Sequence, residues 1–334
     1  MSIVKESFLE EKVKDHAQLY QEMTEMIREM EALLRTLCHS DASVMTRDLE
    51  RMVMAGGKRL RPSLAWVCWK LGKEEKLEIL PLMCMLELMH TTSLIHDDVV
   101  DDAPLRRGAC TIHETSGRKA AVQSGDFLLA RAMEYLHIYR GTGINEALAE
   151  ISTQMCLGEF QQMQSLYDVP ASTQESYFQQ IKRKTAYLIA VSCYTGALAG
   201  GLSMQEALAL RSFGEQIGIA FQIKDDILDI TGTDILGKEK GQDIRRGIFT
   251  LPLLYAFENQ PSTTMERLAA KKEKNQRDVE ELLEYIVSSK GLEYAEFQIR
   301  ICSQRAVKAL EVIREGKEKD ALIQMAQTLR KRKL

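Results

Sequence analysis

The chain has 334 residues, 45% of them apolar and 28% charged, and its formal net charge is −4. That is enough apolar material for a large buried core and too little positive charge for a nucleic-acid-binding face. The seven cysteines are scattered singly, with no Cys-x-x-Cys pair, and the N-terminus is charged rather than a secretory leader. These features predict reduced thiols in a cytoplasmic protein. No apolar run approaches the roughly eighteen residues needed to cross a bilayer.

Helical periodicity dominates. Leu19, Met23, Met26, Ile27, Met30, Leu33, Leu34 and Leu37 recur as one apolar stripe. Few segments show the β-branched alternation of strands. The prediction is a nearly all-α chain of about twelve helices. They span 5–37, 44–55, 62–72, 80–102, 118–139, 144–166, 173–199, 204–231, 250–258, 276–289, 291–314 and 318–331. Pro62, Pro81 and Pro252 stand at predicted helix starts, where a missing N–H costs nothing. Thr231 to Gly247 is polar and glycine-bearing and reads as a loop. No linker or low-complexity tract appears, so residues 1–334 are expected to form one domain. The basic tail Arg330-Lys331-Arg332-Lys333 reads as a solvated end, with a lid over an anionic ligand as the alternative.

The first chemistry-bearing stretch is Gly56-Gly57-Lys58-Arg59-Leu60-Arg61-Pro62. Its glycines let backbone approach a ligand, and Lys58 and Arg61 suit a diphosphate clamp by point charge and fork geometry. The bland reading is a loop before a basic helix start.

The stretch His90 to Gly108 reads HTTSLIHDDVVDDAPLRRG. Residues four apart share a helix face, so Asp97 and Asp101 point the same way with Asp98 beside them. Such carboxylates repel one another unless a hard divalent cation joins them. Arg106 and Arg107 follow at once, which suggests a phosphorylated ligand held from two sides. His90 lies two turns before Asp97 on nearly the same face. His96 reads as a neighbour of the aspartates rather than a metal ligand.

Further on, Gly158-Glu159-Phe160-Gln161-Gln162 and Lys184-Thr185-Ala186 place polar residues in apolar helices. A buried lysine is costly unless it meets an anion, which makes Lys184 and Thr185 candidates for a diphosphate. Then FQIKDDILD repeats the first motif as Asp225, Asp226 and Asp229, with Gln222 just before it. One acidic cluster is often a solvated helix end. Two with the same spacing, each after an apolar helix, predict a cage for Mg²⁺ and one diphosphate. After them, Lys238 in LGKEKGQD could close over that group.

Together these segments resemble the trans-isoprenyl (polyprenyl) diphosphate synthase family. GGKRLRP, LIHDDVVDDAPLRRG, GEFQQ, KTA, FQIKDDILD, LGKEKGQD and TLP occur in the family's order over nearly the whole chain. The resemblance implies a large antiparallel helical bundle around a central cavity, usually a homodimer. It implies Mg²⁺-dependent condensation of isopentenyl diphosphate with an allylic diphosphate to a longer trans-allylic diphosphate. A membrane enters only as the destination of the product, and no nucleic acid is involved. The catalytic set implied is Asp97, Asp98, Asp101, Asp225, Asp226, Asp229 and Lys184. Within it Asp97, Asp101 and Asp225 bind about three Mg²⁺ directly. Arg106, Lys184, Thr185, Gln222 and Lys238 would hold the allylic diphosphate. Lys58, Arg61, His90 and Arg107 would hold isopentenyl diphosphate. Two segments depart from the family pattern. Ala109 and Cys110 replace a common Lys-Pro, and Ile248 stands where many members have lysine.

Short-chain members place an aromatic residue four or five positions before the first motif. Here Ser93 and Thr92 stand there, and Ser93 and Met89 lie about 6 and 12 Å up the helix axis from Asp97. The small residues predict an open tunnel and a product longer than four isoprene units. Geranylgeranyl or farnesyl diphosphate synthesis is the alternative. A class I terpene cyclase, a His-Asp metal phosphohydrolase and a non-catalytic partner subunit fit less of the sequence.

Overall fold

The computed structural model describes residues 2–55, 57–72, 77–106, 108–232 and 240–331; of residues 2–16, 330 and 331 only the helical backbone is described. The fold is all-α, as expected. In chain order the helices are α1 (Ser2–Leu37), α2 (Ser43–Met54), α3 (Leu60–Lys70) and α4 (Leu80–Val100). A two-residue hairpin follows, β1 (Leu105–Arg106) with β2 (Ala109–Cys110), turned at Gly108, whose φ is +81°. Next come α5 (Ile112–Ser116), α6 (Arg118–Met133), α7 (Ile144–Ser165), α8 (Gln174–Ile181), α9 (Tyr187–Ala199) and α10 (Met204–Thr231). The chain ends with α11 (Gln242–Arg245), α12 (Leu251–Asn259), α13 (Thr263–Ala270), α14 (Gln276–Ser288), α15 (Gly291–Ala309) and α16 (Lys317–Lys331).

The residues group into two compact units. One holds Met1–Ser152, Val191–Arg211 and Val312–Leu322; the other holds Thr153–Ala190, Ser212–Glu311 and Ile323–Leu334. The chain enters each unit more than once. In the first, α4 is the apolar centre. Leu82, Met83, Cys84, Leu86 and Leu88 are fully buried, with α1, α3 and α6 packed around them. At about 25 cal/mol per Å² of apolar surface, burying such side chains contributes most of the stabilisation. In the same unit α9 comes so near α3 that a Cβ on Gly196 would stand 2.2 Å from the Ala65 carbonyl oxygen, so only glycine fits there. The second unit has its own core of Ile219, Ala220, Ile223, Ile227, Leu251, Leu253, Leu282 and Ile299.

Most predicted helices are present within two or three residues. Several segments differ. The segment 173–199 is not one α-helix: Lys182–Ala186 forms a π-helical turn between α8 and α9. The helix expected over 118–139 ends at Met133, and Leu136–Tyr139 is a 3₁₀ turn. The helix α13 was not expected, because its eight residues are too short to show a clear period. The expected loop 231–247 contains α11 among its described residues, and 233–239 lie outside them. The last predicted helix turns hold as well, except that α15 ends at Ala309 and passes into a 3₁₀ turn. No helix among the described residues is long and apolar enough to cross a membrane.

Candidate active site

The first aspartate motif occupies the C-terminal end of α4. Asp97 and Asp98 lie in the last turn, and Asp101 is the cap, its N–H donating to the Asp97 carbonyl at 2.8 Å. Helix C-termini carry partial negative charge and favour cations. Here carboxylates stand in that place, and α4 has no basic residue in its last turn. The arrangement opposes helix stability and suits a bound cation. The chain then reverses through Asp102, which adopts φ 52°, into the hairpin.

The reversal brings Arg106 back to the motif. Its Nε donates to Asp98 Oδ1 at 2.6 Å, and its Nη2 lies 2.5 Å from the same oxygen. Asp98 is only 2% exposed, and its Oδ2 is buried without a hydrogen-bond partner. Burial pushes this carboxyl up, against the hydrogen bond and charge of Arg106. Asp97 and Asp101 are half-buried. Arg118 holds Asp102 at 2.7 Å, and His113 Nε2 lies 3.6 Å from it. His113, whose Nδ1 faces the Thr111 hydroxyl at 3.0 Å, had no sequence signal. His96 turns toward α6, its Nε2 3.6 Å from Asp126 Oδ1.

Earlier in the same unit, Lys58 is exposed and Arg61 half-buried at the start of α3, with Pro62 in its first turn. His90 is half-buried on α4. Thr92 donates its hydroxyl to the Gly125 carbonyl of α6 at 3.2 Å, and Ser93 donates to the His90 carbonyl at 2.8 Å. Met89 and Met85 are buried further up α4. Arg107 lies outside the described residues.

The second unit places the other motif near the C-terminal end of α10, which likewise has no basic residue in its last turn. Asp225 is exposed, Asp226 buried and Asp229 half-buried. Asp226 takes hydrogen bonds from the Tyr177 hydroxyl at 2.5 Å and from Gln222 Nε2 at 3.0 Å. Gln222 Oε1 in turn accepts from the Thr185 hydroxyl at 2.8 Å. Burial still pushes the Asp226 carboxyl up to about 7, with Asp225 and Asp229 adding to the rise. Asp229 accepts from the backbone N–H of Gln242 and Asp243, each at 3.1 Å, and so caps α11. Asp243 joins this acidic group, and burial with the Asp229 and Asp226 charges raises its carboxyl to about 8.

Lys184 sits in the π-helical turn. Its Nζ lies 2.5 Å from Glu159 Oε2 and 3.2 Å from Gln162 Oε1 on α7. A π-turn inserts one residue into the helical ladder and re-aims side chains, a device common at functional sites. Gly158 lets α7 approach: a Cβ there would stand 2.9 Å from both Arg183 Cβ and the Lys184 nitrogen. The structure thus joins Thr185, Gln222 and Asp226 into one hydrogen-bonded chain, with Tyr177 the member that had no sequence signal, while Lys184 pairs with Glu159 and Gln162. Lys238 lies outside the described residues.

The donor set is carboxylate oxygen, which suits a hard cation. Among the described residues no three His, Cys, Asp or Glu side chains converge to hold a metal by themselves.

The family model for polyprenyl synthetase matches residues 42–286. Heptaprenyl diphosphate synthase component 2 of Bacillus subtilis is 34% identical over 307 residues, 92% of this chain and 86% of that protein. A decaprenyl diphosphate synthase from Rhodobacter capsulatus superposes with a TM-score of 0.88 at 29% identity, over 95% of this chain and 99% of that one. A polyprenyl synthase from Caulobacter crescentus, crystallised with calcium and isoprenyl diphosphate, gives 0.87 at 31% identity over 95% and 98%. The chain belongs to the polyprenyl synthetase family and is a prenyltransferase.

Proposed function

We propose that the protein condenses isopentenyl diphosphate with an allylic diphosphate, releasing diphosphate and lengthening a trans-polyprenyl chain beyond four isoprene units. The supporting observation is the pair of Asp-Asp-x-x-Asp groups, each ending a long helix whose dipole disfavours them. Mg²⁺ held by Asp97, Asp101 and Asp225, about three ions as the family resemblance implies, would supply positive charge to a departing diphosphate. A buried carboxylate oxygen of Asp98 without a partner and the all-oxygen donor set fit that cation.

The chain's own residues have the remaining roles. Lys184 and Arg106 place positive charge for the allylic diphosphate, with Lys238 as a third cation. Thr185 and Gln222 orient Asp226 beside Asp225. Lys58, Arg61, His90 and Arg107 form the isopentenyl diphosphate subsite. Charge fixed in advance where the transition state develops its own lowers the barrier most in reactions of this kind. The allylic carbon must be kept from water, a task that on this reading falls to apolar helix surface around the substrate. Small Ser93 and Thr92 stand where short-chain members carry an aromatic floor, and the heptaprenyl and decaprenyl relatives support a long product.

On this reading residues 1–334 act as one domain, and the protein works in the cytoplasm as a homodimer. The name of the Bacillus relative, a second component, keeps a hetero-oligomer as the alternative. The test is a product assay with the protein alone, Mg²⁺, labelled isopentenyl diphosphate and farnesyl diphosphate. A ladder of alcohols past four units supports the proposal. A stop at geranylgeranyl keeps the reaction and removes the open tunnel. No condensation from any primer points to a missing partner chain.

A further inference from the structure

The residue between Lys58 and Arg61 that faces inward is Arg59, and no substrate role accounts for it. It is 6% exposed, and φ is 44°, a left-handed conformation that non-glycine residues seldom hold without compensation. The compensation comes from three helices. Arg59 Nε donates to Glu31 Oε1 of α1 at 3.0 Å, Nη1 to Glu87 Oε1 of α4 at 2.5 Å, and Nη2 to the Val53 carbonyl of α2 at 2.8 Å. Glu87 is itself 4% exposed. All five guanidinium hydrogens lie on one rigid plane, so three acceptors in three directions fix the group and its backbone together.

Glu87 stands one helical turn before His90 and three turns before Asp97 on α4. The pair therefore sets the register of the Lys58–Arg61 segment against the helix that carries the first aspartate motif. A buried ion pair is weak evidence for stability, since apolar residues of like volume often replace one without loss. Here the three hydrogen bonds tie one planar group to three helices.

We propose that Arg59 is a positioning residue for the isopentenyl diphosphate clamp, tying Lys58 and Arg61 to α4 through Glu87 and to α1 through Glu31. This rests on the reading of Lys58 and Arg61 as the diphosphate clamp. Misplacing a binding group by about 1 Å can cost up to about a hundredfold, so a tenfold effect is within reach.

The test compares steady-state kinetics and Tm for four proteins: wild type, Lys58→Ala, Arg59→Lys and the double variant Arg59→Met/Glu87→Met. Arg59→Lys keeps the charge and reaches fewer of the acceptors. The double variant removes the pair while leaving no buried charge alone. The expected result is a KM for isopentenyl diphosphate raised on the order of tenfold in Arg59→Lys and in the double variant. The KM for farnesyl diphosphate stays within about twofold and Tm changes little. Folded variants with an unchanged KM for isopentenyl diphosphate overturn the proposal. So does a parallel loss for both substrates that follows Tm, which marks a purely structural pair. If Lys58→Ala itself leaves that KM unchanged, the clamp reading fails, and the role of Arg59 fails with it. An effect in Lys58→Ala alone overturns only the role of Arg59.

Discussion

Tyr177 donates its hydroxyl to Asp226 at 2.5 Å, and both side chains are buried. The bond runs from α8 to α10 and completes the chain Thr185–Gln222–Asp226–Tyr177. The middle aspartate of the second motif is thus fixed from two sides, leaving Asp225 exposed beside it. Removing the hydroxyl leaves a buried carboxyl with one hydrogen-bonding side chain fewer. Tyr177→Phe is expected to cost about 1–3 kcal/mol in urea unfolding and to raise the Mg²⁺ concentration needed for half-maximal rate. An unchanged unfolding midpoint would show that the hydroxyl is solvated in solution.

Replacing Asp97 or Asp225 with alanine removes one charge from a repulsive cluster at the negative end of a helix. Turnover should fall by orders of magnitude while helical circular dichroism is retained. Without Mg²⁺ the variants should be at least as stable as the parent, since function and stability trade off at such sites. Loss of helical signal in either variant contradicts this.

Gly158 has room for no side chain. A methyl group there meets Arg183 and the backbone of Lys184 at 2.9 Å. Gly158→Ala should push the π-helical turn away from α7, cost about 1–3 kcal/mol as an overpacked site does, and lower turnover by displacing Lys184 from Glu159 and Gln162. Thermal unfolding with kinetics on the same preparation checks both effects.

Lys274 carries a pH dependence away from the aspartate motifs. It lies 4.9 Å over the Tyr167 ring and donates to the Lys271 carbonyl, and burial pushes its ammonium down to about 8, against the charge of Asp278. In the unfolded chain it titrates at about 10.4. Between those values the unfolded state binds more protons, so stability rises with pH from about 8 to about 10.4. The penalty for the buried charge is in full force below that window and gone above it. Lys274→Met should therefore raise the urea midpoint at pH 7, with the gain vanishing near the upper end of the window.

Residue order alone carried the helices with a sustained apolar stripe, the two aspartate motifs and the cations of the GGKRLRP segment. These signals are local. A helix repeats its pattern every three to four residues, and two acidic clusters of the same spacing, each after an apolar helix, stand out where one alone would read as a solvated helix end. The family could be recognised for the same reason, because its motifs are short and contiguous.

Other features depended on contacts between residues far apart in the chain. The π-helical turn at Lys182–Ala186 reads as ordinary helix, because its residue types do not mark it and the helix it packs closely against, α7 at Gly158, is distant in the chain. Tyr177 meets Asp226 across 49 positions, and nothing near either residue announces the other. Arg59 looked like one cation among three, and only the carboxylates of Glu87 and Glu31 around it separate it from Lys58 and Arg61. Arg106, read as a ligand-binding cation, is gripped by Asp98 once the hairpin at Gly108 folds it back. Spacing along the chain shows which charges share a helix face. Which of them are then neutralised within the protein is set by packing, because a buried charge must find its partner wherever the fold brings one.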